Sequence, residues 1–332
     1  ASKDDLAQLI NFRKNMFQED PPWDDSAYLQ WRYSFDELSQ GDNQVWVFKK
    51  DNEILGYIGI EKVSLSINNE TLDAYKTMDL LVKPQLQGIG LGLWMVMTVK
   101  EMFSIVLGIG TNENSYPIYS KIMNEMEPIK KYKLIISTKT QVNRVLKFDL
   151  LSNIVSFPID VTLMKYLSRG IRLPDGYSSK LIDYIPDEVN EFNCKNDKIY
   201  VQRDKNYLTW RYIENPRRKY SCLGLYLHNK LKAISISSIL HSEINNQYEG
   251  HIVDWLFDIT ETTDDLQMYL YNETVIYLKK QGVKLIHASA NDVNSGNLLS
   301  RLGFLPREEN KTVFVYTSIN ELERNLYNND LW

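Results

Sequence analysis

The chain is poor in the residues that build metal and redox sites. Of 332 residues, two are cysteines, Cys194 and Cys222, and four are histidines, His228, His241, His251 and His287, with no ligand-like spacing. Two cysteines give no disulfide framework, so both read as free thiols of a reducing compartment, and no metal site is expected. A basic excess is missing too. The 38 Lys and Arg residues stand against 43 Asp and Glu, a net charge of −5, which argues against a nucleic-acid binder. No apolar run approaches the roughly 20 residues of a membrane span. The polar, acidic start ASKDDLAQ shows no signal-peptide pattern. The expectation is a cytoplasmic protein without a membrane span, and the length favours two domains over one.

Glycine is also sparse, yet three of the fifteen fall within QLQGIGLG, residues 85–92. That stretch follows the apolar run MDLLV and precedes the helix-like LWMVMTVKEMF. Each glycine costs backbone entropy, so the turn either needs glycine for its shape or must let something approach its main chain. The spacing is G-x-G-x-G, not the G-x-G-x-x-G of a dinucleotide loop, and no βαβ series surrounds it. A Walker A loop is excluded by the missing Gly-Lys-Ser/Thr. A purely structural turn stays open. The alternative is an anion cradle, in which successive N–H groups converge at a helix N-terminus and no lysine is needed. Pro84, with no N–H to leave unpaired, suits the end of the preceding strand.

A long-range repeat organises the rest. Residues 28–33 read YLQWRY and residues 207–212 read YLTWRY. Strand-like runs follow both, VWVFKK and ILGYIGIEKV in the first copy, SCLGLYL and KAISISSIL in the second. Next come Asp79 in MDLLV and Asp254 in VDWLF, then Asn112 and Asn291 in equivalent places. Each copy reads as an opening helix, the YLxWRY element, a β-meander, a longer strand, a helix, a strand and another helix. The helices near 90–104 and 263–280 are amphipathic. The division falls near residues 160–180, where RGIRLPDGYSS supplies Gly, Pro and Ser. For the Trp-Arg-Tyr repeat a packing anchor with a satisfied ion pair is weighed against a ligand role.

Gln85-Leu86-Gln87-Gly88-Ile89-Gly90 resembles the Q/R-x-x-G-x-G/A motif of the GCN5-related N-acetyltransferase (GNAT) superfamily. NENSYPIY, with Asn112 seven positions before Tyr119, is similar to that family's second motif. NLLSRLGF near the end of the chain resembles its Y-x-K-x-G-F variant, with Leu299 in place of the tyrosine. The resemblance implies a mixed α/β (α+β) chain of two tandem GNAT-like domains, residues 1–165 and 166–332. Each would be a mostly antiparallel mixed sheet flanked by helices. It implies acyl-coenzyme A as co-substrate in the first domain. Its pantetheine would pair with the strand edge Asp79, Leu80, Leu81 and Val82, and its pyrophosphate would lie on the loop of Gln85, Gln87, Gly88, Ile89, Gly90 and Leu91. An N–H of Leu80 or Leu81 would meet the developing oxyanion, and Tyr119 the leaving thiolate. Asn112 would contact pantetheine or cap its helix. The second copy has no glycine in ITETTDDLQ and is expected to lack the coenzyme site, serving as structure or acceptor-binding surface.

Asp79 and Asp73 are the carboxylates within reach of such a cleft. Lying six apart on a strand, they are expected on one face. Asp79 as general base competes with a structural pairing, since Asp254 repeats it in the copy without the loop. The acceptor is expected to be a small-molecule amine, by family resemblance the amino group of a nucleotide-linked amino sugar, with Trp210, Arg211, Arg217, Arg218 and Trp255 suited to a base and a diphosphate. A peptide or protein amine, and a coenzyme A-binding module without turnover, are the competing readings. Acyl length and oligomeric state are open.

Overall fold

The computed structural model of the chain describes residues 1–17, 26–33, 35, 43–67, 70–138, 142, 156, 158, 173–192, 199–244, 246–258 and 264–328. The expected division at residues 165 and 166, Cys194, and the first part of ITETTDDLQ lie outside the described residues. In the first half the order is α1 (Asp5–Phe17), α2 (Ser26–Arg32), β1 (Asn43–Lys50), β2 (Glu53–Ile67), β3 (Glu70–Val82), α3 (Leu91–Met102), β4 (Ile105–Ile109), α4 (Tyr116–Ile122) and β5 (Asn124–Ile135). The second half opens with β6 (Tyr177–Ile182), β7 (Tyr200–Val201) and α5 (Lys205–Leu208), which continues as one π turn, Thr209–Ile213. There follow β8 (Tyr220–Leu227), β9 (Lys230–Ser242), β10 (Gln247–Phe257), α6 (Asp264–Lys280), β11 (Leu285–Ala290), α7 (Val293–Arg301), β12 (Leu305–Pro306), β13 (Lys311–Thr317) and α8 (Asn320–Leu326).

Both meanders turn the same way for the same local reason. Asp51 and Asn52 join β1 to β2 with positive φ at both positions, and His228 and Asn229 do so between β8 and β9. Such a two-residue turn matches the twist of the strands it links. α3 then lays Met95, Val96 and Val99 on Ile58, Ile60 and Val106 of the sheet. On the second half α6 does the same with Met268, Tyr271, Val275 and Leu278.

The two halves are interlocked. The strands form one sheet in the order β1-β2-β3-β4-β13-β5-β11-β10-β9-β8-β6, with β12 on β5 and β7 on β2. β13, from the end of the chain, fills the place between β4 and β5, Phe314 opposite Gly108 and Val315 opposite Asn124. β5 in turn runs beyond Ile129 and joins the second half, pairing Lys130 with Ala290 through to Ile135 with Leu285. β7 adds a second crossing, Val201 lying opposite Leu65. The sequence repeat does not show these exchanges.

Between the halves the two Trp-Arg-Tyr elements meet face to face. The Trp31 indole donates to the Trp210 carbonyl (2.9 Å) and the Trp210 indole donates to the Trp31 carbonyl (3.1 Å). The rings stack with centroids 5.1 Å apart. Beside them Glu61, fully buried on β2, is shared by three cations: Lys76 (2.6 Å), Arg32 (3.0 Å) and Arg211 (3.3 Å). The repeat is therefore an anchor with a satisfied ion pair, and the pair spans the two copies.

Burial alone would raise the Glu61 carboxyl. The charges of Lys76, Arg211 and Arg32 overcome it and hold the group near 2, against an ordinary 4.5. Its stabilising effect is therefore complete above pH 4.5 and is lost as pH falls from 4.5 toward 2. Glu61→Gln should lower unfolding free energy in urea at pH 7 by about 3–5 kcal/mol, because three cations lose their counter-charge. The wild type should also lose more stability than the variant on acidification through that window. Equal losses would show that the carboxylate is not held by these cations.

Candidate functional site

β3 and β4 run parallel only briefly, pairing Tyr75–Thr77 with Val106–Gly108, and then part. Beyond Thr77 the β4-facing edge of β3 has no strand partner among the described residues, while its other edge stays on β2 as far as Val82 opposite Gly56. A bulge sits at the parting point. Met78 pairs with Gly59 and Leu81 with Tyr57, so Asp79 and Leu80 together oppose Ile58. Asp79 takes a left-handed φ of 50°, a conformation that an L residue adopts only where surroundings hold it. The Tyr33 hydroxyl donates to its carboxylate (2.7 Å), and Arg13 lies 3.8 Å away. Tyr33 itself packs so closely on Gly59 that a Cβ there would meet its hydroxyl at 2.2 Å.

The bulge corrects one expectation. Asp73 pairs with Lys62 (3.0 Å) and, by alternation, shares the face of Tyr75 and Thr77. Asp79 instead reaches Tyr33 of the Trp-Arg-Tyr element, the side to which Lys76 also points. The extra residue reverses the alternation, so the two aspartates do not share a face. The second half repeats the device: β10 is bulged between Ile252 and Asp254, and Asp254 accepts from Tyr212 (3.0 Å) and Arg203 (2.5 Å). Asp79 thus holds a structural post, although its carboxylate stays 37% exposed.

The glycine loop follows directly. Gly88 and Gly90 have φ of 81° and 95°, and a Cβ at either would find nothing within 4 Å. Neither glycine is there to avoid a clash; the turn needs left-handed residues, and the space beside them is open. The Gln87 N–H is committed to the Pro84 carbonyl (3.2 Å), and its side chain donates to the Val82 carbonyl (3.0 Å). Among the described residues no hydrogen bond is made by the N–H groups of Gly88, Ile89, Gly90 or Leu91. Gly90 caps the N-terminus of α3 with no side chain over it. Four N–H groups without a hydrogen bond among the described residues therefore precede or open α3, with free space beside Gly88 and Gly90. Gln85 and Ile89 stand exposed beside it.

Tyr119 comes to the apex of the parting. Its ring lies against Gly108, where a Cβ would sit 2.6 Å from the ring. Its hydroxyl donates to Thr77 Oγ1 (2.7 Å), and Thr77 donates to the Leu107 carbonyl (3.1 Å). The residue is buried, and burial pushes the phenol up to about 12. Asn112 closes the turn before α4: its side-chain oxygen accepts from the N–H groups of Asn114 (3.1 Å) and Ser115 (2.9 Å), and Ser115 is the helix N-cap. Leu299, at the tyrosine's place in the second copy, is buried in that half's core.

Two features escaped sequence reasoning. One is Thr77, which no pattern marks. The other is a cavity of about 1000 Å³ in the second half, between the parting strands β10 and β11. The parallel register sets His251 opposite His287, with rings 4.8 Å apart, and the His287 Nε2 lies 2.9 Å from the Glu249 carboxylate. Histidines without ligand-like spacing in the sequence are thus grouped, with ligand atoms of all three residues within 4.8 Å of one another. Of the residues suited to a base and diphosphate, Arg211, Arg218 and Trp255 line the cavity. Trp210 is held by Trp31, and Arg217 lies over the Tyr28 ring at 3.8 Å. Among the described residues no helix is long and apolar enough to cross a membrane.

Residues 8–114 match the model of the acetyltransferase (GNAT) family. No curated protein matches the chain in sequence. Among solved structures the chain resembles a tandem GNAT protein from the clavulanic acid biosynthesis pathway, with a TM-score of 0.57 and 13% identity over 95% of each chain. It resembles Saccharomyces cerevisiae N-myristoyltransferase with bound myristoyl-CoA at a TM-score of 0.55 and 11% identity, over 88% of this chain and 74% of that one. A GCN5-related N-acetyltransferase from Anabaena variabilis gives a TM-score of 0.60 at 9% identity, over 94% and 71%. Such identities speak for the fold alone. Taken together, residues 8–114 contain a domain of the acetyltransferase (GNAT) family, and the whole chain has the fold of a tandem GNAT protein.

Proposed function

We propose that the protein is an N-acyltransferase that moves an acyl group from acyl-coenzyme A to an amine, with both substrates bound together. The observation that carries this reading is the row of unpaired N–H groups at Gly88, Ile89, Gly90 and Leu91, open to the approach of a diphosphate at the N-terminus of α3. Solved relatives of the same fold include an N-myristoyltransferase with bound myristoyl-CoA. Residues 1–165 would form the coenzyme-binding domain and residues 166–332 the acceptor side. The free edge of β3 suits a pantetheine chain, which pairs as an added strand would.

Acyl-coenzyme A supplies the activated thioester. The chain's own groups then have three tasks. The amides of the loop hold the diphosphate. A main-chain N–H at Leu80 or Leu81, on the unpaired edge beyond the bulge, meets negative charge developing on the acyl oxygen. Tyr119 addresses the leaving sulfur. With its phenol near 12 it keeps its proton at any physiological pH. It is a weaker acid than a thiol, whose ordinary value is about 8.5, so full proton transfer to a thiolate would be uphill. Its role is a hydrogen bond to the leaving group, with Thr77 fixing the hydroxyl's position until then. Asp79 as general base is the weaker assignment, since its carboxylate already accepts from Tyr33. Positioning the two reactants provides much of the rate.

The acceptor we favour is the amino group of a nucleotide-linked amino sugar, met in the cytoplasm. Support comes from the size of the second-half cavity and from Arg211, Arg218 and Trp255 on its walls. Thiol-release assays against nucleotide-linked amino sugars, simple amines and peptides test this choice; release with peptides alone would replace it.

Gly90→Asp should abolish coenzyme A binding in calorimetry while the folded state survives. A Cβ there meets no atom, and the left-handed φ costs about 1–2 kcal/mol. Unchanged affinity would remove the cradle. Tyr119→Phe should lower turnover about 10- to 100-fold, the worth of one hydrogen bond to a charged group, with little change in coenzyme affinity. Turnover at the wild-type rate would make the hydroxyl a bystander.

A further inference from the structure

The second-half cavity carries more positive charge than its surroundings balance. Seven Lys and Arg side chains line it against two carboxylates, Glu249 and Asp254. Three of the seven have acidic partners: Arg203 with Asp254 (2.5 Å), Arg211 with Glu61 (3.3 Å) and Arg307 with Glu309 (3.4 Å). For Lys131, Lys133, Arg218 and Lys311 no acidic partner lies within ion-pair distance among the described residues. Lys131 and Lys133 are neighbours on one face of β5 and half-buried. The Lys311 ammonium is held below its ordinary value, first by burial and then by the charges of Lys131 and Arg211. Four such cations around one hollow, in a chain of net charge −5, mark a place where an anion completes the balance.

The trio Glu249, His251 and His287 raises the alternative of a metal ion. Charge decides against it. The trio has one carboxylate, already turned to His287, and a divalent cation would enter a field of four unbalanced cations. The histidine pair suits another purpose. Burial first, then His287 and Arg218, push His251 down to about 4, so its ring is neutral. The two rings stack on each other, 20° from parallel with centres 4.8 Å apart, on the wall of the hollow. In the first half the corresponding cross-strand pair, three residues before the bulged aspartate, is Glu61 opposite Lys76, and the ion cluster fills the space. In the second half it is Ser238 opposite His251, and the space is open. At about 1000 Å³ the hollow is at the upper end of small-ligand pockets, roughly 300–1,000 Å³.

We infer that this cavity binds a nucleoside diphosphate moiety, its phosphates on Lys131, Lys133, Arg218 and Lys311 and its base beside the stacked His251–His287 pair. The inference deepens the acceptor side of the proposed function and rests on it for the ligand's amine; the anion site stands on the cavity alone. The same chemistry has two sources, a nucleotide-linked acceptor or the nucleotide end of a second coenzyme A, and titration of the full chain separates them.

UDP, GDP, ADP and coenzyme A would each be titrated calorimetrically into wild type, Gly90→Asp, Lys131→Ala/Lys133→Ala and Arg218→Ala, at low and high salt. A nucleoside diphosphate should bind once per chain, unaffected by Gly90→Asp. The double lysine variant should weaken it at least ~10-fold, Arg218→Ala in the same direction, and salt should weaken it further. Arg218 is exposed, so its variant tests the site without risk to the fold. Two coenzyme A molecules per chain, one surviving Gly90→Asp and lost in the double lysine variant, would support the cavity and assign it to coenzyme A. Binding of none of these ligands that responds to the lysine and arginine variants overturns the site. If thiol release persists in that case, the acyltransferase reading stands without the cavity. If coenzyme A fails to bind while a nucleoside diphosphate does, the cavity stands and the acyltransferase reading falls.

Discussion

One buried carboxylate fixes the relation between the two halves. Glu61 lies inside the sheet, and its three cations come from three places: Lys76 from β3, Arg32 from the first Trp-Arg-Tyr element and Arg211 from the second. Desolvation opposes all four charges, and a single ion pair at such depth often contributes little net stability. Here one anion serves three cations, so its removal would leave like charges facing one another across the interface. Arg32 also lies 5.8 Å from the ring centres of both Trp31 and Trp210. Electrostatics and aromatic stacking therefore select the same arrangement. Lys76 immediately precedes Thr77, the last paired residue before β3 and β4 part. The interface and the candidate site thus share one stretch of strand.

The two copies agree in framework and differ in chemistry. Tyr33 with Asp79 and Tyr212 with Asp254 sit at a bulge in each half, Asp79 within it and Asp254 directly after the extra residue Val253. A bulge turns a strand edge and re-aims side chains, and both halves use it where the central strands separate. The first half adds left-handed glycines and a tyrosine at the apex. The second has Leu299 in its core and a cationic hollow on its other face. The absence of glycine from ITETTDDLQ does not make the second copy dispensable. Its β13 lies between β4 and β5, and Phe314 packs against Tyr119 with ring centres 5.9 Å apart. The wall behind the first half's tyrosine is thus supplied by the end of the chain.

What could be read in the sequence was local. The meanders, α3, α6, the loop of Gly88 and Gly90, and the six-residue repeat carry their signals in neighbouring residues, and the structure has them within a few positions. The exchange of β5 and β13 could not be read, because pairing between residues nearly 200 apart leaves no mark on periodicity. β5, NEMEPIKKYKLI, also has Pro128 and a run of charge that hides its alternation. The shared face of Asp73 and Asp79 failed for one reason: a single extra residue reverses a period of two. For Asn112 the sequence leaves a pantetheine contact and a helix cap open; in the structure its side-chain oxygen accepts from Asn114 and Ser115 in the turn before α4. His251 and His287 became neighbours through strand register alone.

On the proposed reading, the glycine loop and the second-half cavity would solve one electrostatic problem by different means. A chain of net charge −5 repels a polyanion at long range, but beyond about 8 Å that repulsion is screened at physiological ionic strength, and local donors decide binding. In the first half the donors are main-chain amides, which contribute no net charge and cannot be altered by exchanging side chains. They are lost only when the glycines are lost, because the left-handed turn is what aims them. In the second half the donors are lysines and arginines, whose full charges depend on salt and whose identities can change one at a time. A duplicated unit can therefore lose its amide cradle through the few residues of one loop and still gain affinity for anions elsewhere on its sheet.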